Sequence, residues 1–455
     1  MVKGRAFILF PHGGLRSHCR SPNPSAQVAA QISSMPVLRI PFRSLLIAGI
    51  LMFRLLPVAA QDDGNQESLT LEAALDLAAE HNTQLILARL DVNAAEGALR
   101  QSGAYPNPAL SLTHEPLSPG GDSYSESYLN LSQTIEWPSL RRARRFAARA
   151  SLDARESDLR FARLSIERDV AAAYNDAWAA SQRMALLDDL SERFAQAESA
   201  SLRQLDDGEL SAFDVERLQV ERIRYEAERV IASEALRAAR LDLSVLIYPP
   251  DVDRVAVPST SPALPSTDVV TYDDGMSILS DRPDLAAARS ERDAAGFQRD
   301  AARAARFSQF AVTAGVKRQS DGFSGVLLGL AVPIPVFDRN RGAIEASEAQ
   351  FNAASLQSDA LNALAGRLLL AARQTLKARQ ERFDHLSHSD RTDKLLHAAQ
   401  LGYEEGELSL LALIDAVNAH RESNLLLIDA RADLVRAWLD FLMMTGQSPR
   451  GFVSH

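Results

Sequence analysis

The chain has 455 residues, 46% of them apolar and 6% aromatic, with 22 Gly, 20 Pro and a single Cys at position 19. That composition excludes a disordered or collagen-like chain, and one cysteine excludes a disulfide framework and any cysteine-based zinc or iron–sulfur centre. The formal charge of −10 conceals an asymmetry: residues 1–60 carry seven basic and no acidic side chains, so the remainder holds 42 basic against 59 acidic, a balance of −17. Such a surface repels polyphosphate and argues against nucleic acid as a partner.

The segment Ser44 to Ala60 has a basic run-in (Arg39, Arg43), an apolar core and small residues at its end. It reads as the end of a secretory signal cut between Ala60 and Gln61, so residues 1–60 are an N-terminal extension plus signal peptide, with Met35 an alternative start. Arg54 interrupts the apolar core, which falls short of the roughly 20 residues that span a bilayer. Cys19 falls in the removed part, leaving no cysteine to carry a lipid. No later segment has the 18 consecutive apolar residues of a membrane helix, so entry into a membrane would have to be by β-strands.

An internal repeat organises the rest. Leu202-Arg-Gln-Leu-Asp-Asp-Gly208-Glu-Leu-Ser211 recurs as Gln400-Leu-Gly-Tyr-Glu-Glu-Gly406-Glu-Leu-Ser409, a displacement of 198 residues. Leu241-Asp242 matches Leu439-Asp440 at the same displacement, and Leu129-Asn-Leu-Ser matches Leu328-Gly-Leu-Ala at 199. The expected organisation is a first repeat over 61–248, a proline-marked linker over 249–271, a second repeat over 272–446 and a tail over 447–455.

Each repeat begins with a helix, Leu71 to Gln101 in the first and Met276 to Arg306 in the second. Two short alternating segments follow in each, then a long helical stretch. Ser139 to Tyr248 contains no proline and one glycine, Gly208; Ala343 to Ser448 contains no proline. At ~1.5 Å per residue, Ser139 to Asp207 makes a helix of about 100 Å, which must pair with its neighbours as a coiled coil. Gly208 and Gly406 then read as helix C-caps, and Ser211 and Ser409 as N-caps of the returning helices. Each repeat is thus an antiparallel helical hairpin. The returning helix carries apolar steps at Ile414, Val417, Leu427, Leu434, Trp438 and Phe441, a buried seam.

The alternating segments predict two β-hairpins. Leu110 and Leu112 alternate with Ser111 and Thr113, and Leu129, Leu131 and Ile135 with Asn130, Ser132 and Thr134. In the second repeat Phe310, Val312 and Val316 alternate with Ala311, Thr313 and Lys317, and Val326, Leu328, Leu330, Val332 and Ile334 alternate with mostly small residues. Turns are expected at Pro119–Asp122 and Ser320–Gly322. Periodicity alone fits a small sheet on a soluble bundle as well as a membrane sheet; the signal, the duplication and the helix length favour the membrane. Four strands cannot close a barrel, so strands must be pooled between copies.

The order helix, β-hairpin, long helical hairpin, repeated twice with Gly-Glu-Leu-Ser tips, resembles the TolC-like outer membrane efflux family over nearly all of Leu69 to Gly446. Tyr105-Pro-Asn-Pro-Ala-Leu-Ser-Leu, Leu131-Ser-Gln-Thr-Ile-Glu-Trp-Pro138, Leu279-Ser-Asp-Arg-Pro-Asp-Leu285 and Val332-Pro-Ile-Pro-Val-Phe-Asp-Arg-Asn-Arg-Gly-Ala343 resemble its CzcC-like heavy-metal cation branch. The resemblance implies a mainly α fold with a small β part, and a homotrimer whose twelve strands form an outer membrane barrel above a periplasmic helical tunnel. It implies partners too: outer membrane lipid, a periplasmic adaptor protein, and an inner membrane pump of the resistance-nodulation-division (RND) class. The hairpin tips, Gly208, Glu209, Leu210, Ser211, Gly406, Glu407, Leu408 and Ser409, are the expected adaptor contacts. Asp415 falls where an acidic residue of the periplasmic gate is expected, although the companion position is Ala412. Asp214, at the equivalent place in the first repeat, is the second gate candidate, and the helix dipole alone accounts for an Asp there equally well.

No nucleotide-binding, metalloprotease or serine-hydrolase motif occurs, so no enzyme activity, catalytic residue or cofactor is expected. His385 and His388, with Asp384, Asp390, Asp393 and His397 nearby, have metal-ligand chemistry, but solvated polar residues on a long helix account for them better. The expected function is a passive efflux duct for heavy-metal cations. The alternatives are a duct for organic compounds or secreted polypeptide, and a periplasmic coiled-coil scaffold.

Overall fold

The computed structural model describes residues 69–117, 124–208, 210–247, 258, 263–264, 279, 282–307, 309–387 and 391–452. The signal segment, the turn at Pro119–Asp122, Glu209, His388, Asp390 and nearly all of the linker lie outside the described residues. The first repeat contains α1 (Leu71–His81), α2 (Thr83–Ser102), β1 (Ala109–Leu117), β2 (Tyr124–Glu136), α3 (Pro138–Asp206) and α4 (Ala212–Ile247). The second contains α5 (Pro283–Ala304), β3 (Gln309–Gln319), β4 (Ser324–Ala331), α6 (Arg341–Ser387), α7 (Arg391–Glu404) and α8 (Leu410–Thr445). The fold is mainly helical with one small sheet, as expected.

Three boundaries differ from the sequence pattern. The predicted Leu71–Gln101 helix is broken at Asn82, which adopts extended φ/ψ, accepts from the Gln84 and Leu85 amides and donates Nδ2 to the Leu246 carbonyl at 3.2 Å. A side chain that satisfies orphan donors of a new first turn and anchors to another helix outweighs one continued turn of helix. The predicted Met276–Arg306 helix is interrupted at Arg282, whose φ of −59° and ψ of 129° are not helical, because proline disfavours helical backbone in the residue before it; α5 starts at Pro283, and Met276–Ile278, Ser280 and Asp281 lie outside the described residues. β4 stops at Ala331 instead of running to Ile334, since Pro333 and Pro335 remove ladder donors.

The helix α3 runs 69 residues, about 100 Å at ~1.5 Å per residue. Ala143, Ala147, Ala150 and Ala154 recur along it and are buried, and small residues at that spacing let neighbouring helices approach closely. The helical region carries three apolar clusters. One joins α1, α3, α4 and α8 through Leu75, Val170, Tyr174, Leu243 and Leu439. Another joins α6 to α5 and α8 through Leu285, Leu369, Leu376, Trp438 and Phe441. The third lies towards the hairpin tips, built on Leu190, Phe194, Leu218, Tyr225 and Ile414.

The two repeats are intercalated, because α3 of the first packs on α8 of the second. Arg168 pairs with Asp440, Arg183 with Asp429 and Arg436 with Asp176, and the buried Asn175 donates to the Ala432 carbonyl at 3.1 Å.

The four strands form one antiparallel sheet in the order β1-β2-β3-β4. Its register aligns Leu112, Leu129, Val316 and Val326 in one row and Leu110, Leu131, Ala314 and Leu328 in the next. Cross-strand partners share a face, so one face is an apolar band, with Leu112 76% exposed and Leu328 79% exposed. The opposite face carries Ser111, Thr113, Asn130, Ser132, Thr313 and the ion pair of Lys317 with Glu126 at 2.8 Å. The outer strands β1 and β4 each have one edge unpaired among the described residues.

Candidate functional site

The hairpin tips are built by local backbone chemistry. At the first, α3 ends at Asp206 with Asp207 as its C-cap, and Gly208 enters the left-handed region at φ 77°, donating to the Leu205 carbonyl. The Leu210 amide reaches back to the Gln204 carbonyl at 3.3 Å. Ser211 Oγ accepts from the Asp214 amide and donates to Asp214 Oδ2 at 2.6 Å, so serine and aspartate cap each other at the start of α4.

The second tip repeats the design. Gly406 has φ 76°, the Glu407 and Leu408 amides both donate to the Gly402 carbonyl at 2.8 Å, and Ser409 Oγ accepts from the Ala412 amide. Left-handed backbone at both glycines is strained for any residue with a Cβ.

Behind the tips, α4 and α8 are tied by a polar cluster that sequence reading did not single out. Asn418 Oδ1 accepts from both Arg224 and the Tyr225 hydroxyl at 2.9 Å. Arg421 makes a two-oxygen contact with Glu228 at 2.6 and 2.5 Å, and Arg224 also reaches Glu228 and Glu221. Burial opposes the charge on Arg421, yet the Glu228 carboxylate holds its pKa above the ordinary arginine value. Burial likewise pushes the Tyr225 phenol up, so it stays a neutral donor. On the far side of α8, His420 Nδ1 lies 3.1 Å from Asp393 on α7.

Residues 276–447 match the model of the outer membrane efflux protein family. The cobalt-zinc-cadmium resistance protein CzcC of Cupriavidus metallidurans is 27% identical over 354 residues, covering 76% of this chain and 83% of that one. The second repeat thus matches the outer membrane efflux protein family, and the similarity to CzcC extends over most of the chain. The nickel-cobalt-cadmium resistance protein NccC of Alcaligenes xylosoxydans is 27% identical over 274 residues, 59% of this chain and 61% of that protein. The CmeC outer membrane channel of Campylobacter jejuni superimposes with a TM-score of 0.70 at 16% identity, covering 90% of this chain and 94% of that one.

Against this fold the residues expected from sequence fall into two groups. Gly208, Leu210, Ser211, Gly406, Glu407, Leu408 and Ser409 lie together at the two turns; Glu209 is outside the described residues. Asp214 is engaged by Ser211 of its own tip, and Asp415 is exposed, with no hydrogen bond or ion pair among the described residues. The structure does not join these two aspartates to each other. Next to the tips, the polar contacts between the two hairpins run instead through Asn418 and Arg421. That pairing is invisible in sequence because its partners lie 193 and 194 residues apart and meet only through the packing of α4 on α8. Of the histidine group, His388 and Asp390 are outside the described residues, and among the described residues no group of three or more His, Cys, Asp or Glu has metal-binding geometry.

Proposed function

We propose that this protein is the outer membrane duct of a tripartite pump, a homotrimer that passively conducts heavy-metal cations from a periplasmic adaptor and an inner membrane RND pump to the exterior. The observation that carries the reading is the four-stranded sheet, with an apolar outward band, a polar reverse face and two unpaired edges, mounted on helices of about 100 Å. An apolar face with open edges is stable when lipid covers the face and strands of further copies close the edges. Large apolar side chains exposed along the helices, among them Phe213, Ile231 and Leu356, supply the surface for those copies.

The proposed conduit does no chemistry. Polar side chains on the reverse face, Ser111, Thr113, Asn130 and Ser132, offer weak, exchangeable contacts to a hydrated ion. The tips at 208–211 and 406–409 are the proposed adaptor contacts. Asp214, Asp415 and the Asn418–Arg421 cluster are the proposed closed-state gate, which the adaptor opens by binding the open form better. Metal cargo is supported by the names of the two relatives, cobalt-zinc-cadmium and nickel-cobalt-cadmium resistance proteins.

Growth of a deletion strain, with and without complementation, across zinc, cadmium, cobalt, nickel, copper and silver salts and a panel of antibiotics tests the reading. Complemented sensitivity to particular metals alone supports it; sensitivity confined to organic compounds removes the metal assignment and keeps the duct.

A further inference from the structure

Where the sheet passes into the helices, the chain concentrates positive charge against its own net sign. Residues 137–152 contain five arginines and no acidic residue, although the chain beyond residue 60 carries a balance of −17. Arg142, Arg145 and Phe146 are exposed at i, i+3 and i+4 of α3, one face of the helix. Neither Arg142 nor Arg145 has a hydrogen-bonding or acidic partner among the described residues, whereas Arg144 on another face is paired with Glu136 and Arg149 with Asp153. The free arginines line a cavity of about 1280 Å³ whose floor includes Ile135, Trp137 and Phe310, the last two in ring contact at 5.6 Å. Ile135 and Phe310 are register partners on the apolar face, so the cavity adjoins the helix-side end of that face. The other repeat carries the same chemistry at the same junction: Phe337 is 100% exposed, and Arg339 and Arg341 are exposed with no partner among the described residues.

We propose that this cavity holds the headgroup of an anionic phospholipid of the periplasmic leaflet, its phosphate on Arg142 and Arg145 and its acyl chains along Trp137, Phe310 and the apolar strand face. The inference rests on the reading that the sheet crosses the outer membrane, because the helix-bearing end of the sheet is then the periplasmic end. At ~1.5 Å per residue Arg142 and Arg145 lie roughly 6 and 10 Å beyond Pro138, at the depth of the headgroup layer, and long arginine side chains reach back to it. Guanidinium pairs phosphate through parallel N–H donors, and aromatic rings favour the same interface. A free phosphate ion would use the arginines but leave the aromatic floor unexplained; a lipid uses both.

The test is native mass spectrometry of the full chain extracted from outer membranes in mild detergent and titrated with phosphatidylglycerol, phosphatidylethanolamine and glycerol 3-phosphate. Expected is retention of phosphatidylglycerol over phosphatidylethanolamine with little retention of glycerol phosphate. In the double variant Arg142→Gln/Arg145→Gln that retention should weaken about five-fold per arginine, while Arg237→Gln on α4 leaves it unchanged. The single variants Arg142→Gln and Arg145→Gln should each weaken it about five-fold, and they carry the test if the double variant does not assemble. Equal retention of the two lipids, or a preference that no glutamine variant moves, overturns the proposal; glycerol phosphate held as well as the lipid would make this an ion site and overturn it too. Wild-type protein absent from the outer membrane fraction would sink the membrane reading and this proposal with it. Wild-type protein present there without the lipid preference sinks this proposal alone.

Discussion

Gly315, in the middle of β3, has no room for a side chain. A Cβ there would lie 2.1 Å from Asn130 Oδ1 and 2.7 Å from the Leu129 carbonyl on the neighbouring strand. Asn130 can swing aside, but the carbonyl belongs to the ladder and cannot. Gly315→Val is therefore expected to disrupt the pairing of β2 with β3 and deplete heat-resistant oligomer in the outer membrane. Gly329→Ala, whose Cβ would sit at an ordinary 3.6 Å from Thr313, should leave the oligomer intact; equal yields on a semi-native gel would refute the distinction. A second residue-scale prediction concerns Arg421, whose loss leaves the partly buried Glu228 carboxylate without its two-oxygen partner. Losing a charged hydrogen bond of this kind costs about 1–3 kcal/mol. If that cost falls on the closed state, Arg421→Ala should raise the open fraction about ten-fold or more in planar-bilayer conductance; an unchanged conductance removes the cluster from the gate. The tip glycines were legible from sequence because a helix stop followed by a serine N-cap is a local code. Gly315 was not, since its constraint comes from Asn130, 185 positions away.

The long helices could be read directly, because 110 residues from Ser139 to Tyr248 without proline and with one glycine leave little else for the chain to do. The break at Asn82 could not, because asparagine tolerates a helix interior and only the Leu246 carbonyl of another helix makes the cap worthwhile. Asn82→Ala should therefore cost more than a surface substitution, about 1 kcal/mol or somewhat above, through loss of the cap and of the tie to α4. Thermal unfolding followed by circular dichroism should show a lowered midpoint, while Asn82→Asp keeps the cap's acceptor and loses only the tie. Identical midpoints for the two variants would mean that the break is held by packing alone. The strands were legible by alternation, but their order was not: β2 pairs with β3 across the entire first helical hairpin, and only the fold brings them together.

For the whole molecule the decisive quantity is the number of strands. Four strands in the order β1-β2-β3-β4 leave β1 and β4 at opposite edges, three inter-strand spacings or ~14 Å apart, whereas a disulfide needs Cα atoms within roughly 7 Å. Paired cysteines at Ser111 on β1 and Leu327 on β4, in a Cys19→Ser background, therefore cannot join within one sheet of this curvature. They can join only where β4 of one copy meets β1 of the next, so oxidation should give a covalent ladder ending at the closed ring. Because the inter-copy register is free to differ by a few residues, Leu327 is scanned together with Gly325 and Gly329, the reverse-face positions on either side of it. A ladder that stops at three, with its top band migrating as a closed species, is the outcome expected for a twelve-stranded barrel. A ladder stopping at another number replaces the trimer with that stoichiometry. Monomers that never cross-link at any register, from a protein recovered outside the membrane fraction, would return the sheet to the surface of a periplasmic scaffold. The arithmetic by which a closed barrel would need extra copies was available from four amphipathic strands alone; the stoichiometry is what the cross-linked ladder reads.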